Sequence, residues 1–244
     1  MSLDEAAEGA AKRVERALAS AVLRGEYPAG SRLPTMRELA ARFGVNLGTV
    51  QRAAASLERT GLVSARQGSG IRVNDLHTSA DLSLVPAWIE ALADQPERAT
   101  ALLGEFLEVR RVLAAHLLVK HRRAFADHRA LLDAAVARLA GAARAGTAEF
   151  READLAVARG LVEHTGHTVI ALVLNAAGEL LDELPALGEA MYAEPRRNVR
   201  TTRVVLAALV SRRSDAHVRA EVEDALAALD AATVARFSEY LARR

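Results

Sequence analysis

Between Arg32 and Val73 the chain reads RLPTMRELAARFGVNLGTVQRAAASLERTGLVSARQGSGIRV, and the punctuation of that run leaves few folds open. Thr35 followed three residues later by Glu38 is a capping box, in which a hydroxyl and a carboxylate each satisfy a backbone N–H that a helix start leaves orphaned. It opens a short helix, TMRELAARF, that Gly44 stops. Asn46 is a good cap for a further helix running to about Thr60, which Gly61 ends. LVSAR and IRVND then read as two short strands around QGSG, a hairpin tip. Upstream, residues 9–24 place Val14, Ala17, Leu18, Ala21 and Val22 at helical spacing, before the turn formers of GEYPAGSRLP. Helix, turn, helix, turn, helix, hairpin is the order of a winged helix-turn-helix.

Charge supports a role for that order. The net charge over 244 residues is only +1, but residues 9–73 carry eleven Lys and Arg against four Glu. Residues 78–244 carry 21 basic and 23 acidic groups. A basic front on a slightly acidic body points to nucleic acid at one end. The chain has no cysteine, which excludes a disulfide framework, thiol catalysis and Cys-ligated zinc, and fits a reducing cytoplasm. MSLDEAAEGAAKR is too acidic and polar for a signal peptide, and no apolar run approaches the roughly 20 residues that span a bilayer. The expectation is a soluble, cytoplasmic protein with no membrane partner.

Reading a major groove needs a helix whose N-terminal face carries short donors and acceptors and one long cation. Asn46, Thr49 and Arg52 follow one another at three-residue spacing on such a helix, with Gly48 and Thr49 small enough for close backbone approach. Ala53, Ala54 and Leu57 supply its buried side. Arg37, at the second helix, would face the phosphate backbone, and the hairpin tip offers Arg66, Gln67, Gly68, Ser69 and Gly70 to the minor groove or to phosphates. Two readings compete: merely solvated arginines, since the chain holds 30 Arg and 2 Lys, and a capped helix pair with a hairpin serving as an interaction module. Topology, charge and spacing together favour double-stranded DNA.

From Asp81 onward the pattern is helical throughout, and the fold class is mainly α: an N-terminal winged helix-turn-helix with a β-hairpin wing and a C-terminal all-α bundle. The divisions are 1–74 for DNA binding, 75–82 for a linker, and 83–244 for effector binding and dimerisation. His164 and His167 sit three apart, a spacing that can put two metal ligands on one helix face, but Gly166 between them suggests that the helix ends there. His116 and His121, five apart, do not share a face. No nucleophile–base pair or Gly-rich phosphate loop stands out, so no catalytic residue, cofactor or metal is assigned and an enzyme is not expected. A pyridoxal-phosphate domain would need a Schiff-base lysine in a much longer α/β domain, and Lys120 is the only lysine beyond the front half.

The front run resembles the DNA-binding domain of the GntR family of bacterial transcription regulators. The likeness covers about residues 9–74 and rests on LPxxRELA, Gly44–Val45, Thr49, Leu57, Gly61–Leu62 and the Gly68–Ser69–Gly70 wing. It implies DNA contacts at Arg37, Asn46, Thr49, Arg52 and the wing tip. Leu47 stands where many members have an Arg, so no relative's operator sequence carries over.

The helical half resembles the ligand-sensing domain of the FadR subgroup of that family, over about residues 82–240 and through FLEVRRVLAAHLL, DLAVARGLVEHTGHTVIALVLN and the final helix pair. Many members of the subgroup bind a metal through one Asp and three His beside a carboxylate effector. Asp154 fits the Asp, but the His positions fall at Ala158, near Thr202 and near Asp224 or Ala225, so the usual metal site should be absent. ARGLVEHTGHTVIALVLN and YAEP are similar to the fatty-acid-responsive regulators, which implies an acyl-CoA or fatty-acid-like effector; the last helix, AALDAATVARF, lacks their Gly, Ser and Trp. Arg110, Asp154, Asn175 and Tyr192 are the implied ligand-binding positions, with a buried structural network as the competing reading for the first three.

These readings combine into an effector-responsive regulator, a repressor, working as a homodimer on a near-palindromic operator. Two alternatives stay open. One is a regulator of the same family sensing a short carboxylate with a metal. The other is a helical metabolite-binding or catalytic protein with a DNA tether.

Overall fold

A computed structural model of the chain describes residues 3–66, 70–163 and 167–243; at residues 3–7, 66, 169, 170, 173, 174, 176, 177, 179 and 180 it describes the backbone alone. The chain divides into two compact units, Met1–Gln95 and Pro96–Arg244.

The front unit is the predicted winged helix-turn-helix. Helix α1 (Leu3–Leu23) is followed by α2 (Met36–Phe43), α3 (Leu47–Arg59) and the strands β1 (Val63–Arg66) and β2 (Gly70–Val73). The capping box forms: Glu38 N–H donates to Thr35 Oγ1 at 3.3 Å, and Thr35 N–H donates to Glu38 Oε2 at 2.7 Å. Gly44 ends α2 in the left-handed region at φ 63°, with its N–H turned back to the carbonyls of Ala40 and Ala41. The strands pair antiparallel from Val63 opposite Val73 to Arg66 opposite Gly70. Leu18 and Val22 of α1, Leu39 of α2, Val50 and Leu57 of α3, and Ile71 of the wing close on one core.

Gly61 is the tightest point of this unit. Its φ of +75° is strained for any other residue, and a Cβ there would lie 2.3 Å from the Ser79 carbonyl oxygen. The Asn74 amide and the Ser79 hydroxyl each donate to the Gly61 carbonyl at 2.9 Å.

The stretch expected as a linker is folded. Asp75 caps a one-turn helix α4 (Leu76–Ser79), followed by a 3-10 turn (Leu82–Leu84) and α5 (Val85–Ala91). Leu84 and Ala91 join the front core, and Arg24 donates through Nε to the Ala91 carbonyl at 2.8 Å and through a terminal nitrogen to Asp94 at 2.9 Å. The front unit therefore runs past 75–82 to Gln95. The polar surface of NDLHTSADLS hides side chains engaged in local caps and in the clasp on Gly61.

Every regular element described in the back unit is a helix: α6 (Pro96–Lys120), α7 (Arg122–Asp127), α8 (Arg129–Ala142), α9 (Thr147–Glu163), α10 (Thr168–Glu183), α11 (Pro185–Tyr192), α12 (Pro195–Leu209) and α13 (Asp215–Ala242). The two longest, α6 and α13, run antiparallel along each other, since Arg110 meets Asp230 while His116 meets Arg219. Helix α8 packs on α9 and α12, and α11 packs on α13 and α9. Leu103, Leu107, Phe125, Leu139, Phe150 and Phe237 are fully or almost fully buried between them. The sequence reading did not separate α11; Pro185 sits in its first turn, where a missing N–H does no harm. No helix among the described residues is long and apolar enough to cross a membrane.

Candidate nucleic-acid interface and effector site

Helix α3 begins as the sequence predicts. Asn46 caps it, accepting at Oδ1 from the Thr49 N–H at 2.8 Å. Ala53, Ala54 and Leu57 bury the opposite side. The expected face of Asn46, Thr49 and Arg52 needs one correction. Thr49 is only 2% exposed. Its hydroxyl donates to Asn46 Oδ1 at 3.0 Å and accepts from a terminal nitrogen of Arg52 at 3.4 Å. A buried hydroxyl with both partners already in the protein positions its neighbours rather than meeting a base. The exposed face consists instead of Asn46, Leu47, Gly48, Gln51 and Arg52. Gln51 was legible as a donor one turn beyond Leu47, but the three-residue spacing drew attention to Thr49.

Around that face the front unit is firmly braced. Glu58, on the last turn of α3, accepts the Ala65 N–H at 3.0 Å and so fixes β1 to the helix. Arg72 donates to the Gly30 carbonyl at 2.8 Å, while Leu33 N–H and Val73 N–H bond across to Ile71 and Ser31. Arg37 is exposed on the first turn of α2, and Gly70 is exposed at the start of β2. Of the wing residues singled out in the sequence, Gln67, Gly68 and Ser69 and the Arg66 side chain lie outside what the structure describes.

In the back unit Tyr192 is buried, and Arg110 and Asp154 are half-buried. Tyr192 is 2% exposed, stacks edge-on against Phe150 with ring centroids 5.7 Å apart, and donates its hydroxyl to Asp154 Oδ2 at 3.2 Å. Burial pushes the Asp154 carboxyl above its ordinary value, against the pull of the Tyr192 hydrogen bond and the Arg110 charge. Burial also raises the Tyr192 phenol, with the Asp154 charge adding to it. Arg110 donates to Asp230 Oδ1 at 2.6 Å, and Arg111 donates to the other oxygen at 3.0 Å. Asp230, 5% exposed, is the residue the sequence reading missed. Its signal was a lone acid in the apolar run AALDAAT. Among the described residues the buried Arg110 Nε has no hydrogen-bond partner. Asn175 departs from expectation: it is exposed on α10 rather than turned toward the core.

The positions where the resemblance would place metal-binding histidines are distributed differently. The Thr202 hydroxyl is occupied with the Asn198 carbonyl at 3.0 Å. Asp224 and Ala225 line an open groove between α12 and α13, together with Arg200, Thr201, Val204 and His217; Arg110, Asp154 and Tyr192 are not in its lining. Among the described residues no three metal-ligating side chains cluster. His164 lies outside the described residues, so its pairing with His167 is not seen. His167 instead meets His121 edge-on at 5.9 Å between ring centroids. Burial, then the Lys120 and His167 charges, depress the His121 pKa.

Comparison with known proteins bears on both units. Residues 10–73 match the family model described as bacterial regulatory proteins, gntR family. An HTH-type transcriptional regulator of Mycobacterium tuberculosis, uncharacterised, is 32% identical over 66% of this chain and 64% of its own length. A second M. tuberculosis HTH-type transcriptional regulator is 42% identical over 28% of this chain and 29% of its own. The chain thus spans less than two thirds of the length of either mycobacterial relative. The fatty acid metabolism regulator protein of Shewanella amazonensis is 26% identical over 69% of this chain and 68% of its own.

Proposed function

The chain belongs, through residues 10–73, to the gntR family of bacterial regulatory proteins, and from that premise we propose that it is an effector-controlled, DNA-binding transcription repressor of the cytoplasm. DNA binding is assigned to the front unit, Met1–Gln95, and effector binding and dimerisation to the back unit, Pro96–Arg244. The observation that carries the reading is the start of α3, where an asparagine cap, a glycine and Gln51 and Arg52 stand exposed on one face. Arg52 is suited to a guanine edge and Gln51 to an adenine edge, while the α3 N-terminus, Arg37 and the wing suit phosphates. Two copies reading successive grooves give a near-palindromic operator, and ligand would shift the dimer toward a geometry whose helices no longer match those grooves.

The effector in this reading is an acid with an apolar tail or an acyl-CoA, held in the helical unit without a metal. Support comes from the free Nε of Arg110, suited to an anionic oxygen, and from Asp154, which burial biases toward the neutral form that can donate a hydrogen bond. The likeness to a protein named as a fatty acid metabolism regulator points the same way.

Selection of random duplexes by the full-length chain tests the DNA half. A near-palindrome should be enriched, with affinity falling steeply as salt rises; no enrichment and no salt dependence would leave the front unit as a mere tether. Thermal shift with acyl-CoAs, free fatty acids and short carboxylates, alongside metal analysis, tests the effector half. A stoichiometric transition metal, or stabilisation by short acids alone, refutes the acyl reading.

A further inference from the structure

Helix α6 has a face that its own bundle leaves uncovered. Its inner side is buried through Ala99, Leu103, Leu107, Ala115 and Val119. Yet Val109, Val112 and Leu113 are exposed at 56%, 49% and 44%, three large apolar side chains in contiguous positions on one helix face. Contiguous exposed apolar surface of this kind marks an interaction site more often than a bare monomer surface.

The polar and charged groups flanking the patch have an order. Toward the N-terminus come Glu105 and Glu108, both exposed; toward the C-terminus come His116 and Lys120, also exposed, with Arg219 of α13 reaching His116 at 3.1 Å. The two ends are mirror-placed about Val112. Glu108 and His116 each lie four residues from it, and Glu105 and Lys120 lie seven and eight away. A helix rises about 1.5 Å per residue, so Glu105 and Lys120 sit at nearly equal distances, roughly 11 Å, on either side of that centre.

We propose that this face is where two copies of the chain meet, α6 against α6, antiparallel, on a two-fold axis passing at Val112. In that arrangement Val112 contacts its own copy, Val109 meets Leu113, and Glu105 and Glu108 of one copy face Lys120 and His116 of the other. A parallel pairing would put glutamates on glutamates and lysine on lysine, so the charge order selects the antiparallel two-fold. The surface is self-complementary, which is the condition for an isologous, closed dimer. The assignment rests on the homodimer of the proposed function and names the surface that makes it.

The natural chain has no cysteine, so Val112→Cys introduces the sole thiol. Under mild oxidation the full-length variant should cross-link to a covalent dimer, and Leu131→Cys, at a more exposed position on α8, should not. Glu105→Lys or Lys120→Glu alone should weaken self-association in sedimentation by about tenfold, and the two together should restore it. A sedimenting dimer in which Val112→Cys cross-links no better than Leu131→Cys overturns the surface and leaves the homodimer standing. Single-charge effects that the double variant does not rescue overturn the antiparallel register. A chain that stays monomeric at every concentration, with and without DNA, removes the surface and the homodimer together.

Discussion

The bonds that shape the start of α3 in the front unit and those that join the helices of the back unit span very different lengths of chain. In the front unit the decisive bonds join Thr35 to Glu38, Asn46 to Thr49 and Thr49 to Arg52, each three residues apart. In the back unit they join Arg110 to Asp230, 120 positions apart, and Tyr192 to Asp154, 38 apart. A DNA reader has to present a fixed face, and bonds three residues apart hold the start of α3 in place. If the back unit binds an effector as proposed, distant bonds suit it, because groups that meet only when helices pack are groups that a ligand between helices can rearrange.

Four experiments bear on that contrast. The largest effect is expected in the back unit. Phe150→Ala empties a fully buried site and removes the ring on which Tyr192 rests, so chemical denaturation should show a loss of about 3–5 kcal/mol. A loss below about 1 kcal/mol would mean that packing does not hold the Tyr192–Asp154 pair.

Next is the recognition helix. Arg52→Ala should weaken operator binding by roughly 1–3 kcal/mol and relax the sequence preference. Thr49→Ser, which keeps the hydroxyl, should bind close to the parent, whereas Thr49→Val should lose affinity because Asn46 and Arg52 lose the hydroxyl that positions them. Equal binding by both Thr49 variants would show that the local bonds do not set the face.

The third concerns Asp154. The unfolded carboxyl titrates near 3.8 and the folded one higher. Between the two values the native state holds the extra proton, so this group's stabilising share is full below the lower value and is lost as pH rises through the upper one. Asp154→Asn should remove that decline, making the variant gain on the parent as pH is raised from 4 to 7 in thermal unfolding. Parallel curves for the two proteins would show that burial does not govern this carboxyl.

The smallest effect is expected at Asn175, exposed on α10. Asn175→Ala should change stability by no more than about 0.5 kcal/mol and leave ligand-induced thermal shifts intact. A large loss of effector response there would return Asn175 to the site.

What the sequence made legible follows the same division. The capping box, the Gly44 stop, the Asn46 cap and the hairpin are short-range signals, and α2, α3 and the wing form where they point. Thr49 was misjudged because spacing gives the face of a Cα, not whether neighbouring helices cover the side chain. Asp230 escaped notice because its two arginine partners lie on a helix more than a hundred residues upstream. Asn175 was placed inward by analogy with relatives, and the solvent-facing turn of α10 is a matter of packing that no local pattern encodes. Residues 75–95 read as a boundary because polar caps look like linker until the surface they cap against is known.

The clasp at Gly61 has a mechanical consequence. The chain leaving the wing does not run free; Asn74 and Ser79 fasten it to the carbonyl at the end of the recognition helix, over a contact too close for any side chain. A pull arriving from beyond Gln95 meets the packed α5 and the Arg24 bonds to Ala91 and Asp94 first, and the Gly61 clasp then holds the chain to the foot of α3.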